Sequence, residues 1–377
     1  MRSKLASLNI RSVDFLFLLV TLVLTIFGLV MVFSASYYSS ISINGTPFYY
    51  LIRDGMWIMV GLVLMAAGIC IDYRVYKKIA LAVIIVVVLC LVAVLFIGVV
   101  RNGARRWLGV GGLTFMPGEW AKLGIILFTA WFLGERPGRA GSFLFGILPV
   151  MAVTGLCAIL IIQQPNLSTA ITIIGIAVAM LLVAGMNWLW VLVTGALGAG
   201  GLIFILTFMQ GSYWYQRITN FVNPFEDLYG EGYQVAQSLL ALGSGGLTGV
   251  GLGNSVQKSL YLPEPQNDFI LAIIGEELGF LGILFLILLY SVFIWRGISI
   301  AINAPDRFGM LLASGVVIMV ALQVILNMAV VTASMPATGI NLPFISYGGN
   351  GILIFLFSAG VLMNISRQKP YLEGRPI

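Results

Sequence analysis

The chemistry open to this 377-residue chain is narrowed first by what it lacks. There is no histidine, which excludes Ser-His-Asp triads, His-ligated zinc and imidazole proton shuttles. Acid–base work falls to carboxylates or lysine. Of the 14 acidic residues, the best placed is Asp268, directly after PEPQN and at the head of a long apolar run. A carboxylate at that boundary can meet both a water-filled cleft and a lipid headgroup; the bland alternative is a helix N-cap, a position that favours Asp. Glu119 and Lys122 stand three apart, so they share one helix face. Burying either alone in a bilayer costs about 2.5–3.5 kcal/mol on insertion scales, so they are expected to pair with each other or with a ligand. Glu276 and Glu277 lie two turns beyond Asp268, about 12 Å along a helix, and are expected to hold helices together through polar neighbours. Cys70, Cys90 and Cys157 sit in apolar runs without CxxC spacing, and so read as inert thiols.

The cations are equally selective. Arg101, Arg105 and Arg106 crowd one short connection, and Arg217 and Lys258 lie in a long polar one. Such clusters at headgroup level suit a phosphate-bearing lipid or substrate, with snorkelling or lipid anchoring as the bland alternative. GSGGLTGVGLG (243–253) has six glycines in eleven residues but is no phosphate loop, because no Gly-Lys-Ser/Thr follows and Gln257 precedes Lys258. Glycine permits close backbone approach, so this stretch reads as a re-entrant or cavity-lining loop, as does MPATGINLPFISYGGNG (335–351).

These groups must be held by membrane helices. With 60% hydrophobic and 9% charged residues and a mean hydropathy of +1.04, the chain is an all-α polytopic membrane protein. Apolar runs predict ten transmembrane spans over residues 15–35, 55–71, 79–100, 117–133, 143–162, 167–184, 188–208, 268–295, 308–331 and 343–365. Residues 209–267 form the one large connection, of a length that is more often functional than decorative. Most of the 20 Lys and Arg fall at the ends and in alternate loops, including Arg74, Lys77, Lys78, Arg136, Arg139, Arg296 and Arg307. The positive-inside rule then makes both termini cytoplasmic and turns the 209–267 loop and Asp268 outward.

The strings GYQVAQSLLALGSGGLTGVGLGNSVQKSLYLPEPQNDFILAIIGEELGFLG (232–282), NGARRWL (102–108), PGEWAKL (117–123), QQPNLSTA (163–170) and TGINLPFISYGG (338–349) occur in this order over nearly the whole chain. Together they resemble the FtsW/RodA/SpoVE proteins, the shape, elongation, division and sporulation family, and the GLGNS-QK and LPEPQ-DFI forms are nearer its division and sporulation branch. The resemblance implies a peptidoglycan glycosyltransferase in a bacterial plasma membrane, polymerising lipid II on the outer face. It implies work beside a class B penicillin-binding protein and other divisome or sporulation proteins, with no nucleic acid. It places the catalytic aspartate at Asp268, the charged pair at Glu119 and Lys122, the Arg-Trp motif at Arg106-Trp107 and loop positions at Gln234, Ser238, Ser255, Gln257 and Lys258; Arg105 joins them as an adjacent cation. Asn166 and Ser168 stand where the family often has Asp and Gly, and Asn267 where Thr is usual.

The residues agree with that chemistry. A lipid diphosphate is a ready-made leaving group, so one base suffices and the paired carboxylates of glycosidases are unnecessary. Cations must then neutralise the departing diphosphate. This makes Mg²⁺ or Mn²⁺ the cofactor to look for, although no dedicated ligand cluster is visible in the sequence. Two rival classes remain: a flippase or transporter of a lipid-linked precursor, which should show inverted repeats and midplane sites, and a scaffold, which would need neither Asp268 nor the outward arginines.

Overall fold

The computed structural model describes residues 13–101, 104–110, 113–136, 138–208, 224–225 and 232–368; Arg217 and most of the connection between 209 and 231 lie outside them. The chain is a helical, polytopic membrane protein. Helix α1 (Phe15–Asn44) starts where Asp14 accepts the amide of Phe17 at 3.0 Å and stops at Gly45, whose φ is 72°. It outruns the expected 15–35 because the Ser- and Tyr-rich segment that ends the apolar run contains no helix breaker. Helices α2 (Tyr49–Cys70) and α3 (Tyr73–Ile97, capped by Asp72) both begin six residues earlier than the apolar runs suggest. Polar first turns remain helical, and hydropathy alone does not see them.

Residues expected to be plain loop after α3 form a small antiparallel sheet, β1 (Val99–Arg101), β2 (Ala104–Val110) and β3 (Leu113–Phe115), in that order. Val100 faces Arg105, and Leu108 faces Phe115. Then come α4 (Pro117–Gly134), α5 (Leu148–Ile162, entered through a π turn at Phe143–Ile147), α6 (Leu167–Val183) and α7 (Trp188–Phe208). The last four are α8 (Tyr233–Gly245), α9 (Ile270–Ile302), α10 (Arg307–Val331) and α11 (Gly349–Arg367). Helix α11 starts at Gly349 rather than at the expected Pro343, because residues 343–348 are turns.

Among the described residues, seven helices are long and apolar enough to cross a membrane; α6 and the Trp188–Gly201 part of α7 are apolar but shorter. Helix α4 is absent from that set, yet it is buried along almost its whole length and packs against α3, α5, α6, α10 and α11. Helices α4 and α10 form the axis of the bundle, and α2 packs along α11.

Helix α9 is not continuous. Gly279 has φ 68° and ψ −166°, and the break exposes backbone groups on both sides. The glycine-rich segment repairs it: Val250 and Gly251 donate to the carbonyls of Glu276 and Glu277, both at 3.0 Å, and Phe280 and Leu281 donate to those of Gly246 and Leu247 at 2.9 and 3.1 Å. Non-helical backbone at membrane depth is tolerated only when satisfied in this way. The fit requires glycine, since a Cβ on Gly249 would lie 2.1 Å from the Glu277 carbonyl and one on Gly279 2.3 Å from the Gly249 nitrogen.

Gly279→Ala should therefore lower stability in detergent by more than about 2 kcal/mol through left-handed strain and overpacking. Gly243→Ala, whose added Cβ meets nothing within 4 Å, should be neutral or stabilising by up to about 1 kcal/mol. Thermal unfolding of the purified variants checks both, and equal effects would contradict the repair.

Candidate functional site

The fold sorts its polar residues to two ends. At one end Arg296 pairs with Asp14, Arg74 with Asp306 at 3.5 Å, and Arg307 donates to the Ala184 carbonyl at 3.0 Å. At the other, Met116 and Thr114 meet the side chain of Asn350, Ser168 donates to the carbonyl of Thr338, and Tyr347 donates to that of Gln266 at 2.9 Å. Asp268 belongs to this second end.

Asp268 lies in the turn before α9 and is half-buried; the N-cap position is Phe269, and no side chain caps the helix there. Capping therefore does not explain the aspartate. Its backbone is held instead: Asn327 on α10 donates through Nδ2 to the Asp268 carbonyl at 2.8 Å and to the Ile340 carbonyl at 2.6 Å, while Ser346 donates to the Asn267 carbonyl at 2.7 Å. The carboxylate rests against Gly339, where an added Cβ would stand 3.0 Å from Oδ2 and where φ is +72°. The 338–348 turns thus clamp the PEPQND loop from above while α10 clamps it from below. Tyr347 packs edge-on against Tyr50 with ring centroids 5.0 Å apart, and burial pushes its phenol up to about 12, so it stays protonated. Oxygens on Gln266, Asn267, Asn327 and Thr338, around the same turn, are buried without a partner among the described residues.

Glu119 and Lys122 meet as their spacing foretold: Nζ of Lys122 lies 2.7 Å from Glu119 and 3.0 Å from Oε1 of Gln323 on α10. Lys122 is 3% exposed, and Glu119 faces Gly351 at the top of α11. Arg106 on β2 donates to the carbonyls of Gln164 and Pro165, which ties the sheet to the turn before α6. Arg105 points the other way and is exposed, with its guanidinium 3.3 Å from the Leu95 carbonyl.

The other loop positions gather around the two glutamates of α9. Ser255 donates to Glu276 at 2.5 Å, and the amides of Val256 and Gln257 reach the same carboxylate at 2.9 and 3.4 Å. Lys258 pairs with Glu277 at 2.6 Å, both essentially inaccessible, and Ser34 of α1 bonds to both. Ser238 is buried and donates to the Val331 carbonyl at 2.8 Å, tying α8 to α10; Gln234 is half-buried on α8. These residues lock the long connection onto the bundle, as the sequence expected for Glu276 and Glu277. Among the described residues, no three His, Cys, Asp or Glu side chains gather as metal ligands.

Sequence reasoning missed three supporting residues. Gln323 and Asn327 are an i, i+4 polar pair inside an apolar helix, a spacing that marks one inward face. Asp54 on α2 stands just before the apolar run that begins at residue 55, where hydropathy gives it no weight. It is 4% exposed, with one carboxylate oxygen buried without a partner among the described residues, and it faces the backbone of Gly348 in the 338–348 turns.

A family model described as "Cell cycle protein" (FTSW_RODA_SPOVE) matches residues 14–371. The chain is 41% identical to "Stage V sporulation protein E" of Bacillus subtilis (strain 168), covering 96% of this chain and 98% of that one. It is 37% identical to "Probable peptidoglycan glycosyltransferase FtsW" of Geobacter sp. (strain M18), again over 96% and 98%. Among solved structures, it superposes with TM-score 0.78 and 25% identity on a chain described under "Structural coordination of polymerization and crosslinking by a peptidoglycan synthase complex", covering 94% and 98%. The rod shape determining protein RodA of Thermus thermophilus gives TM-score 0.68 and 26% identity over 94% and 97%.

Removing one partner of a buried ion pair leaves an uncompensated charge, so Lys258→Met should destabilise the protein by about 3–5 kcal/mol. Lys258→Met combined with Glu277→Leu should recover most of that loss, because a well-packed apolar pair is close to neutral in the same place. Unfolding of both variants in detergent checks this, and a single variant as stable as the parent would show that the pair does not carry the loop.

Proposed function

This chain belongs to the FtsW/RodA/SpoVE family, and on that footing we propose that it is a peptidoglycan glycosyltransferase, polymerising lipid II at the outer face of a bacterial plasma membrane. The observation that carries the reading is Asp268: a half-buried carboxylate, unneeded as a cap, held by α10 and the 338–348 turns at the end of the bundle opposite the Arg74, Arg296 and Arg307 contacts. The positive-inside rule makes that opposite end cytoplasmic. Ten crossings with both termini inside belong to the same proposal.

In this reading, Asp268 takes the proton of the acceptor sugar's hydroxyl as its oxygen attacks the anomeric carbon of the donor. The bond from that carbon to the lipid diphosphate breaks, and the diphosphate leaves with the electron pair. A positioned base of this kind contributes typically about 10²–10⁴ in rate. Arg105 and Arg106 on the sheet are the cations proposed to meet the diphosphate, with Lys122 lending positive potential from within the bundle. Lys258 is committed to Glu277 and acts by holding the loop. Mg²⁺ is commonly bound by one or two carboxylates together with substrate phosphates; Asp268 alone does not make a resident metal site, and no step is assigned to a metal.

The solved neighbour described as coordinating polymerization and crosslinking supports a cross-linking partner, proposed here as a class B penicillin-binding protein. The likenesses to a stage V sporulation protein and to FtsW proteins support work with division or sporulation proteins.

Asp268→Ala and Asp268→Asn should each abolish lipid II polymerisation by the purified protein while lipid II binding persists. An active Asp268→Asn enzyme would remove the base from this site. Arg105→Gln with Arg106→Gln should cut turnover by at least about tenfold in a folded protein, and unchanged turnover would send the diphosphate elsewhere. In cells expressing a chain whose three cysteines are replaced, a cysteine at exposed Asn254 should react with an impermeant thiol reagent and one at Lys77 should not; the opposite pattern would invert the topology.

A further inference from the structure

The end of the bundle opposite Asp268 holds a second charged feature that the polymerisation chemistry does not use. A cavity of about 550 Å³ opens between the starts of α3 and α10 and the end of α4. It is lined by Arg74, Lys77, Lys78 and Arg307, with Trp131 and Phe308 as apolar wall. A neighbouring cavity of about 700 Å³ shares Arg74, Asp306 and Arg307 with it. From Arg307 to Asn327, which holds Asp268, is 20 residues of α10, or about 30 Å at 1.5 Å per residue.

The cavity carries more cation than it answers. Its acidic members are Glu135 and Asp306. Asp306 is already engaged, receiving Tyr73 Oη, the amide of Gly309 at 2.8 Å and the Arg74 guanidinium at 3.5 Å. Lys77, Lys78 and Arg307 form no ion pair among the described residues, and the Nε of Arg307 is buried without a partner. Two of the cations are also fixed in place: Arg307 through the Ala184 carbonyl, and Arg74 through Asp306 and the ring of Tyr73, 5.5 Å from its guanidinium carbon. The wall is rigid, since a Cβ on Gly134 would lie 3.2 Å from the Phe308 backbone, so α4 and α10 touch directly at the cavity floor.

We propose that this cavity binds the phosphate headgroup of an anionic membrane phospholipid. Phosphate oxygens match the donor set of fixed arginine and flexible lysines. Basic pockets between membrane helices at the headgroup level take such lipids. The half-buried indole of Trp131 supplies apolar surface for the glycerol and upper acyl chains, which a free phosphate would leave uncovered. The occupant is therefore lipid-borne.

The full-length protein, exchanged into a nonionic detergent, is incubated with mixed phosphatidylglycerol and phosphatidylcholine, and retained lipids are counted by native mass spectrometry. Wild type should retain phosphatidylglycerol in preference to phosphatidylcholine. Lys77→Gln/Lys78→Gln/Arg307→Gln should bind it on the order of 100-fold more weakly, whereas Arg367→Gln, at a basic residue outside the cavity, should bind as wild type does. If the triple variant fails to fold, Lys77→Gln/Lys78→Gln carries the test with roughly 30-fold weakening, since neither lysine supports an ion pair. Equal retention by parent and variants would overturn the site. Displacement of the lipid by inorganic phosphate would overturn the lipid assignment.

Discussion

A lysine ammonium in the middle of a helical membrane bundle must be answered by other polar groups, and in this protein that requirement fixes the axis of the fold. Lys122 is answered by Glu119 one turn before it and by Gln323 across the interface. The first contact lets α4, an 18-residue helix with two charges, reside in the centre of the bundle. The second fixes α4 against α10. Once those two helices are registered, the position of Asn327, one turn beyond Gln323, is settled, and so is the carbonyl of Asp268 that it holds. A pair buried for electrostatic reasons thereby sets where a carboxylate at the bundle's end must stand.

The same demand governs the backbone. Two stretches near the site abandon regular structure, the glycine-rich segment after α8 and the 338–348 turns, and each is satisfied by a specific partner. The first feeds four hydrogen bonds into the break of α9. The second is gripped by Asn327, Ser168 and the 266–267 backbone. Irregular segments held at this many points do not drift, so Asp268 is presented by a loop with the rigidity of an element. This is the preorganisation a single general base needs, because a carboxylate free to rotate would spend much of its time out of reach of the hydroxyl it must deprotonate.

Much of this was legible in the sequence, for reasons that also explain what was not. Charges in apolar runs are costly, so Glu119, Lys122, Glu276 and Glu277 announced partners before any coordinates. Glycine density announced close backbone approach between 243 and 253. Hydropathy could not tell where helices end, because α1 continues through serines and tyrosines that solvate its polar end, and it could not see that Gly279 interrupts α9, since glycine is common in membrane helices. The partner of Lys258 was hidden for another reason. Glu277 lies 19 residues away, and Ser34 lies 224 residues away on α1, so only the assembled bundle reveals that this lysine is internal. The polar face of α10, Gln323 with Asn327, was readable in principle from its i, i+4 spacing but is small among so many apolar neighbours.

Comparing the lysines shows what decides the role of a cation here. Lys258 meets a carboxylate and a hydroxyl in a sealed site and has no capacity left for a ligand. Lys122 meets a carboxylate that is itself 15% exposed, so the pair is in partial contact with the outside. Lys77 and Lys78 meet no carboxylate among the described residues and line an open cavity. Desolvation scales with burial, while attraction to a ligand scales with unanswered charge. A buried lysine therefore must be matched and becomes structural, and only a lysine left at a rim can remain unmatched and bind. The distribution of carboxylates, more than that of the cations, thus determines which end of the molecule can hold phosphate and how. On the sheet at the Asp268 end, Arg105 is exposed and bonds to a backbone carbonyl, which leaves its charge unmatched by any carboxylate among the described residues and suits it to an anion that arrives and departs.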